Sequence, residues 1–324
     1  MRILSLKYMI FLFVFMLATS LPASGSGSAG MSFLLTGPTA WNMGASEAHT
    51  AALTGPSGIF LNPSLLALEF SSSAAASYMI WPATDTQNHF AGALFRRNRD
   101  AFGVAVLSSV IDDIPFRSGP TQSPDGYFAV RYMALAASYA RSHGPVSAGI
   151  TGMYLYEQFF RQDAVGLAFN AGVALSLLEE RMRLGASVRN IGSMSELSET
   201  ATVLPAVLSL GADVQVLQFS TSALDDEIPF LWSLSADYIK PLADIRPAGE
   251  PGSDPRAAYV NIGTELNIAQ LIDLRAGYRS GDTQRRFSFG TGVSAGDFYI
   301  SYAYMPFKTG FGNAHAIGLL FYFR

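Results

Sequence analysis

Cysteine is missing from the whole chain, which excludes a disulfide framework, a thiolate metal site and a lipid-anchored cysteine. Charge is scarce as well, at 14% of residues against 49% hydrophobic. Beyond the N-terminus, no apolar run reaches the roughly 18 residues a membrane helix requires, so a helical membrane protein is excluded. The formal net charge of −4 gives nucleic acid no attractive surface, and none is expected as a partner.

What is present begins with Arg2 and Lys7, an apolar run from Tyr8 to Leu17, and the small, polar stretch Leu21-Pro22-Ala23-Ser24-Gly25. Residues 1–25 therefore read as a secretory signal peptide; the run is too short for an anchoring helix. Its removal takes away two positive charges and moves the net charge from −4 to −6.

The rest alternates. In residues 182–190, Met182, Leu184, Ala186 and Val188 point one way, while Arg183, Gly185, Ser187 and Arg189 point the other. The split recurs with Leu208, Leu210, Ala212 and Val214 opposite Ser209, Gly211, Asp213 and Gln215, and with Leu234 and Ala236 opposite Ser233, Ser235 and Asp237. It recurs again with Leu274, Ala276 and Tyr278 opposite Arg275, Gly277 and Arg279. At the end of the chain, His315, Ile317, Leu319, Phe321 and Phe323 share one face. A period of two sustained over most of the chain means strand after strand.

A soluble two-sheet sandwich would also alternate. Its polar face, however, would be rich in Lys and Glu, whereas Gly, Ser and Ala dominate here. Small inward residues suit a crowded lumen, and in hydrocarbon the sheet has to close. The expectation is an all-β protein: a transmembrane antiparallel barrel of about fourteen strands, an even number as bacterial barrels prefer. It covers residues 71–324, with strands near 71–81, 88–96, 101–111, 127–141, 144–158, 164–178, 181–190, 204–219, 230–240, 256–267, 271–280, 285–295, 297–307 and 314–323. Interruptions rich in Pro, Gly, Ser and Asp at 112–126, 192–204, 222–228 and 241–256 read as long outer loops, and the short turns as periplasmic.

Residues 26–70 break the alternation. Gly37-Pro38, Met43-Gly44 and Gly55-Pro56-Ser57-Gly58 precede Asn62-Pro63, which reads as a fixed turn opening a short helix through Leu68. Apolar residues in this segment need burial and no second domain offers it, so a plug inside the barrel is expected, with Gly44, Asn62 and Pro63 as its marker residues.

Catalytic and metal chemistry find little footing. Gly292-Val293-Ser294-Ala295-Gly296 spells a hydrolase elbow but sits within a strand pattern rather than a strand-to-helix turn. His49, His89, His143 and His315 are scattered and read as polar or interfacial, while Asp112-Asp113 and Asp225-Asp226-Glu227 lack calcium-loop spacing. No cofactor and no enzyme activity are expected. The lumen charges Arg183, Arg189, Asp213, Asp237, Glu265, Arg275 and Arg279 carry both signs, which suits pairing across a narrow interior or holding the plug better than selecting one solute.

Met43-Gly44-Ala45 followed by Phe60-Leu61-Asn62-Pro63-Ser64-Leu65-Leu66 resembles the N-terminal signature of the PorV/PorQ family of FadL-like outer-membrane barrels. The likeness continues through Ser123-Pro124-Asp125-Gly126-Tyr127-Phe128, Gly185-Ala186-Ser187-Val188-Arg189-Asn190-Ile191-Gly192, Leu204-Pro205, Arg275-Ala276-Gly277-Tyr278 and Tyr302-Ala303-Tyr304. The chain departs from the pattern in ending at Arg324, one residue past the usual terminal aromatic. The resemblance implies residence in the outer membrane, contact with its lipid, and folding by the barrel-assembly machinery with Gly318, Phe321 and Phe323 as the recognised pattern.

Two functions follow. The resemblance implies a component of type IX secretion or surface assembly, with cargo proteins or secretion subunits as partners; the alternative is a FadL-like channel for a hydrophobic small molecule, and a structural barrel or adhesin is a third. Inward faces read as mainly small or charged favour the first.

Overall fold

The computed structural model describes residues 29–81, 85–223, 226–244, 256–282, 284–308 and 312–323. The expected signal peptide, most of the 241–256 loop, Asp225 and Arg324 lie outside the described residues. The barrel begins with β1 (Ser72–Trp81), β2 (Thr86–Arg97), β3 (Asp100–Phe116), β4 (Gly126–His143), β5 (Val146–Phe159), β6 (Gln162–Leu177) and β7 (Met182–Met194). A two-stranded hairpin, β8 (Glu196–Leu197) with β9 (Thr200–Ala201), interrupts it. It resumes with β10 (Val207–Ala223), β11 (Asp226–Pro241), β12 (Tyr259–Ile268), β13 (Ile272–Arg279), β14 (Phe287–Ala295), β15 (Phe298–Pro306) and β16 (Asn313–Phe323). Fourteen of these strands pair antiparallel in a closed ring, sealed by β1 on β16 from Ser72↔Phe323 to Ile80↔His315.

Outside the ring, residues such as Val104, Leu135, Ile150, Leu167, Phe169, Leu274, Phe289, Ile300 and Ile317 stand exposed. An apolar belt around a sheet without edges is the arrangement that hydrocarbon demands, because every ladder hydrogen bond is made within the protein. At the end where β1 starts and β16 finishes, turns are tight, as at Asn98-Arg99, Gly144-Pro145 and Gly296-Asp297. Asn98, Gly144 and Gly296 take the positive φ these turns require. Longer connections gather at the other end. Short turns and both barrel termini mark the first end as periplasmic and the second as outer.

Two of the expected loops are corrected. Residues 112–116 extend β3 past a bulge between Ile111 and Ile114, with Asp113 at φ 57°, so the outer loop shrinks to 117–125. Residues 222–228 are no outer loop at all: β10 and β11 run on to Ala223 and from Asp226 and turn at the periplasmic end.

Inside the ring lies the N-terminal segment. Its backbone starts at the outer mouth, where the Ala29 N–H donates to the Asp244 carbonyl at 2.7 Å and the Gly30 N–H to that of Val203 at 3.0 Å. It descends through a 3₁₀ turn (Ser32–Leu35), α1 (Ala40–Gly44), a second 3₁₀ turn (Gly55–Ser57), α2 (Gly58–Leu61) and a third 3₁₀ helix (Pro63–Leu68). Thr39 and Asn42 form a capping box at the start of α1. The Asn62 side chain accepts from the Ser64 N–H at 3.2 Å and hydroxyl at 2.7 Å, and donates to the Thr50 carbonyl at 2.7 Å. One amide thus caps the last helix and ties it to an earlier loop.

The wall is cut to fit this segment. At Gly149 of β5, a methyl group would stand 2.5 Å from the Pro63 carbonyl carbon, backbone against backbone, so neither side can yield alone. Gly149→Val is expected to destabilise the assembly by about 1–3 kcal/mol through overpacking, with β5 pairing intact. Melting of the purified barrel and protease cutting within residues 60–70 measure this; an unchanged melt and cleavage pattern would mean that the plug does not press on β5.

Candidate functional site

The lumen has two unlike walls. On β7 and β10–β13, all seven charged residues picked out by the alternation point inward. Arg183 bonds Asp213 at 2.7 Å and, through Nε, the Ala51 carbonyl of the plug at 3.1 Å. Asp237 accepts from the Thr50 N–H at 2.8 Å and hydroxyl at 2.7 Å. Arg275 reaches Glu265 at 2.8 Å and Asp273 at 3.4 Å, and its guanidinium lies 3.9 Å over the Trp41 ring of α1. Arg279 pairs with Glu47 of the plug, which also takes Arg285 at 3.2 Å. Arg189 is buried with one long bond to the Ser209 hydroxyl at 3.4 Å. The alternation does not reveal Trp41, Glu47 and Arg285, because each lies in the irregular plug or between strands; Asp273, two residues before Arg275 on β13, shares its inward face and was open to the same reading.

Gly44 closes α1 against this wall: a Cβ on it would stand 2.9 Å from the Gly290 Cα of β14. Asn62 and Pro63 sit lower, against β5 and β6. On β16, Gly318 faces the plug, where a Cβ would stand 3.6 Å from that of Ala40, while Phe321 packs tilted against Phe298 at 4.8 Å and Phe323 stacks on Phe95 at 6.5 Å.

The other wall is apolar, which corrects the expectation of inward faces that are mainly small or charged. Phe90, Leu94, Leu107, Met153 and Leu155 of β2, β3 and β5 pack on Ile59, Phe60 and Leu66. Towards the outer mouth the same cluster takes in Met31, Phe33, Leu34, Met194 and Leu204, with Phe33 stacked on Tyr132 at 5.7 Å. Above it stand Phe116, Phe128, Phe159 and Phe160, whose ring centroids are 5.4 Å apart pairwise from Phe116 to Phe160 and from Phe128 to both Phe159 and Phe160. Phe116, Phe159 and Phe160 remain 40–46% exposed. Val130, paired with Phe159, is buried on the lumen face, so this aromatic group crowns the apolar side of the mouth.

Two titratable groups of the plug are buried against the charged wall. His49, buried rather than interfacial, has its pKa lowered to about 3 by burial and by Arg275, with Glu47 opposing, so it is neutral at pH 7. Burial pushes Glu47 upward, yet Arg279 and Arg285 outweigh it and hold the pKa at about 2. The unfolded or released segment binds a proton at His49 near its ordinary 6.5, so seating weakens as pH falls from 6.5 towards 3. The Glu47 contribution, about 3 kcal/mol at most, is complete above 4.5 and is lost as pH falls towards 2. Trp41 emission in a Trp81→Phe, Trp232→Phe background should follow both limbs. His49→Gln is expected to flatten the upper limb, and Glu47→Gln to loosen the plug already at pH 7. Identical titrations for all three would show that neither group seats it.

No protein-family profile and no curated protein matches this sequence. Solved structures do. The Ralstonia pickettii toluene transporter TbuX aligns over 89% of this chain and 98% of its own, at TM-score 0.59 and 12% identity. The monoaromatic hydrocarbon channel CymD aligns over 89% and 98%, at 0.58 and 11%. The Pseudomonas putida toluene transporter TodX aligns over 87% and 98%, at 0.52 and 10%. At such identities the likeness is one of fold: the chain is a closed fourteen-strand antiparallel barrel, and these solved outer-membrane barrels share that architecture.

Proposed function

We propose that the protein is a plugged outer-membrane channel for small hydrophobic molecules. The observation that carries this reading is the apolar wall, with the aromatic group Phe116, Phe128, Phe159 and Phe160 at its mouth, Phe33, Tyr132, Phe90 and Ile59 deeper in, and between them one buried carboxylate, Glu157, held by the Thr202 hydroxyl at 2.6 Å. Aromatic rings concentrate an apolar solute by taking its surface out of water, at about 25 cal/mol per Å² buried. The plug makes its charged contacts on the opposite wall, so a solute displacing its apolar side breaks no ion pair. The fold shared with toluene transporters and a monoaromatic hydrocarbon channel supports the same class of solute. The activity is passage, without cofactor or bond making.

The competing reading is a PorV/PorQ-type component of type IX secretion, with exported proteins as cargo. It draws on the order of motifs around Met43-Gly44-Ala45 and Phe60-Leu61-Asn62-Pro63. The apolar wall has no use in that reading, and this ranks it second.

Uptake of radiolabelled toluene and of a long-chain fatty acid by a deletion strain, complemented with wild type or with Phe128→Ser/Phe159→Ser, separates the two. The double variant is expected to lower uptake several-fold while the barrel still assembles. Asn62→Ala, which frees the last plug helix, should change uptake as well. Unaltered uptake in the deletion strain, together with loss of a set of surface proteins sharing a C-terminal sorting domain, would replace this reading by the secretion one.

A further inference from the structure

Every other buried carboxylate among the described residues is well held. Glu47, Asp213 and Asp273 each meet an arginine, Asp237 accepts two bonds from Thr50, and Glu69 accepts the Thr54 and Gly55 N–H groups at 2.9 and 2.6 Å. Glu157 of β5 is the exception. It is 6% exposed, its one bond among the described residues is from the Thr202 hydroxyl at 2.6 Å, and no ion pair reaches it there. A carboxylate can accept about four hydrogen bonds, so most of its capacity is unused. Burying such a group with so little to hold it costs stability, and the apolar residues around it would pack as well without it.

Its surroundings give the group a use. On β5 it stands between Phe159 of the aromatic crown and Leu155 of the deeper wall. It is paired directly with Tyr132 of β4, which sets the two side chains about 5 Å apart at their Cβ atoms. Phe33 of the plug covers the Tyr132 ring, with centroids 5.7 Å apart and planes 23° from parallel. Thr202 covers the carboxylate, and the start of the plug leans on Thr202 in turn: a Cβ on Gly30 would stand 2.5 Å from the Thr202 methyl group, and the Gly30 N–H donates to the adjoining Val203 carbonyl at 3.0 Å. The first residues of the plug therefore close a slot that has an aromatic floor and one acceptor at its edge.

We infer that Tyr132 and Glu157 form a recognition site for a single aromatic ring bearing a neutral hydrogen-bond donor, a phenol or an aromatic amine. This rests on the channel reading above and names its solute more closely. The ring takes the place of Phe33 over Tyr132, and its O–H or N–H donates to Glu157 in place of the Thr202 hydroxyl. Each solute contact replaces one that seats the start of the plug, so solute and seated plug compete for one slot and binding shifts the segment towards release. A bare hydrocarbon fills the slot but leaves the acceptor unpaired once Thr202 withdraws. A solute carboxylate, aromatic or fatty, meets like charge in a water-poor wall and is rejected.

Because the chain has no cysteine, Ser32→Cys, at an exposed plug position, can carry one environment-sensitive fluorophore that reports seating of the plug start. The full-length barrel in nanodiscs is titrated with p-cresol, toluene and 4-methylbenzoate, which share a methylated ring and differ in one substituent; heat-modifiable migration identifies folded variants. Half-saturation, in free solute, is expected about tenfold lower for p-cresol than for toluene, the factor that one hydrogen bond to a charged acceptor gives, with no response to 4-methylbenzoate. Glu157→Leu should erase the p-cresol preference. Glu157→Gln, which keeps an acceptor and drops the charge, should retain part of that preference and admit 4-methylbenzoate. Thr202→Val removes the competing hydroxyl and should keep or widen the preference. If Glu157 serves only to anchor Thr202, Thr202→Val and Glu157→Leu erase the preference alike, and the inference is overturned. Equal half-saturation by p-cresol and toluene in the wild type overturns it too, while the toluene response leaves the channel reading standing. Absence of any response to the three solutes, with unaltered toluene uptake in the deletion strain, removes both.

Discussion

A sheet surrounded by hydrocarbon has to end where it began. Each unpaired backbone group in lipid costs several kcal/mol, so the pairing of β1 with β16 governs everything else in the molecule. Closure fixes which residues face inward, and the inward residues then define a space that the N-terminal segment fills. Glycine at Gly149 and the Gly44–Gly290 contact show how far the wall has been pared to let backbone approach backbone. Plug and wall are therefore one folding problem. A barrel of this diameter with large inward side chains would have no room for the segment, and one without the segment would have an unfilled core.

The asymmetry of the lumen follows from the sequence of the plug. Residues 41–51 present Trp41, Glu47, His49 and Thr50 to the charged wall, whereas Phe33, Ile59, Phe60 and Leu66 meet the apolar one. Buried ion pairs are poor sources of net stability, since desolvation offsets most of the attraction. Their value here is positional: a charge such as Glu47 between Arg279 and Arg285 has one place to sit, while an apolar surface tolerates sliding. Fixed registration on one side and a surface without ion pairs on the other is what the channel proposed above would require of a retained plug.

Much of the fold was legible in the sequence. A period of two survives in nearly every strand because each has one lipid face and one lumen face, and that pattern yields fourteen strands in order. It fails at Asp112-Asp113 and at 222–228, where turn-forming residues sit inside strands: a bulge absorbs the first, and a hairpin reaching beyond the barrel holds the second. The site was only half legible. Alternation locates Arg183, Asp213, Asp237 and Arg275, but their partners in the plug come from irregular backbone with no period to read. The apolar wall was missed for a related reason. When both faces of a strand are apolar, as around Phe90 and Leu94 on β2 or Leu107 on β3, inward and outward residues look alike.

The direction in which the plug runs has a mechanical consequence. Its C-terminal part continues directly into β1, is capped by Asn62, and receives the Arg96 guanidinium at the Ala67 carbonyl. Its start is tethered at the outer mouth by the two backbone bonds at Ala29 and Gly30 and by apolar contacts of Met31, Phe33 and Leu34. Between them lie the ion pairs of Glu47 and the Thr50–Asp237 bonds. Resistance to displacement thus rises from the outer mouth inward. In the proposed channel, a solute gathered by the aromatic crown would meet the least constrained part of the plug first, and the segment could peel from that end while its periplasmic half stays covalently and electrostatically in place. Reversibility comes with that order, because the retained half keeps the peeled half at high local concentration beside its own binding wall.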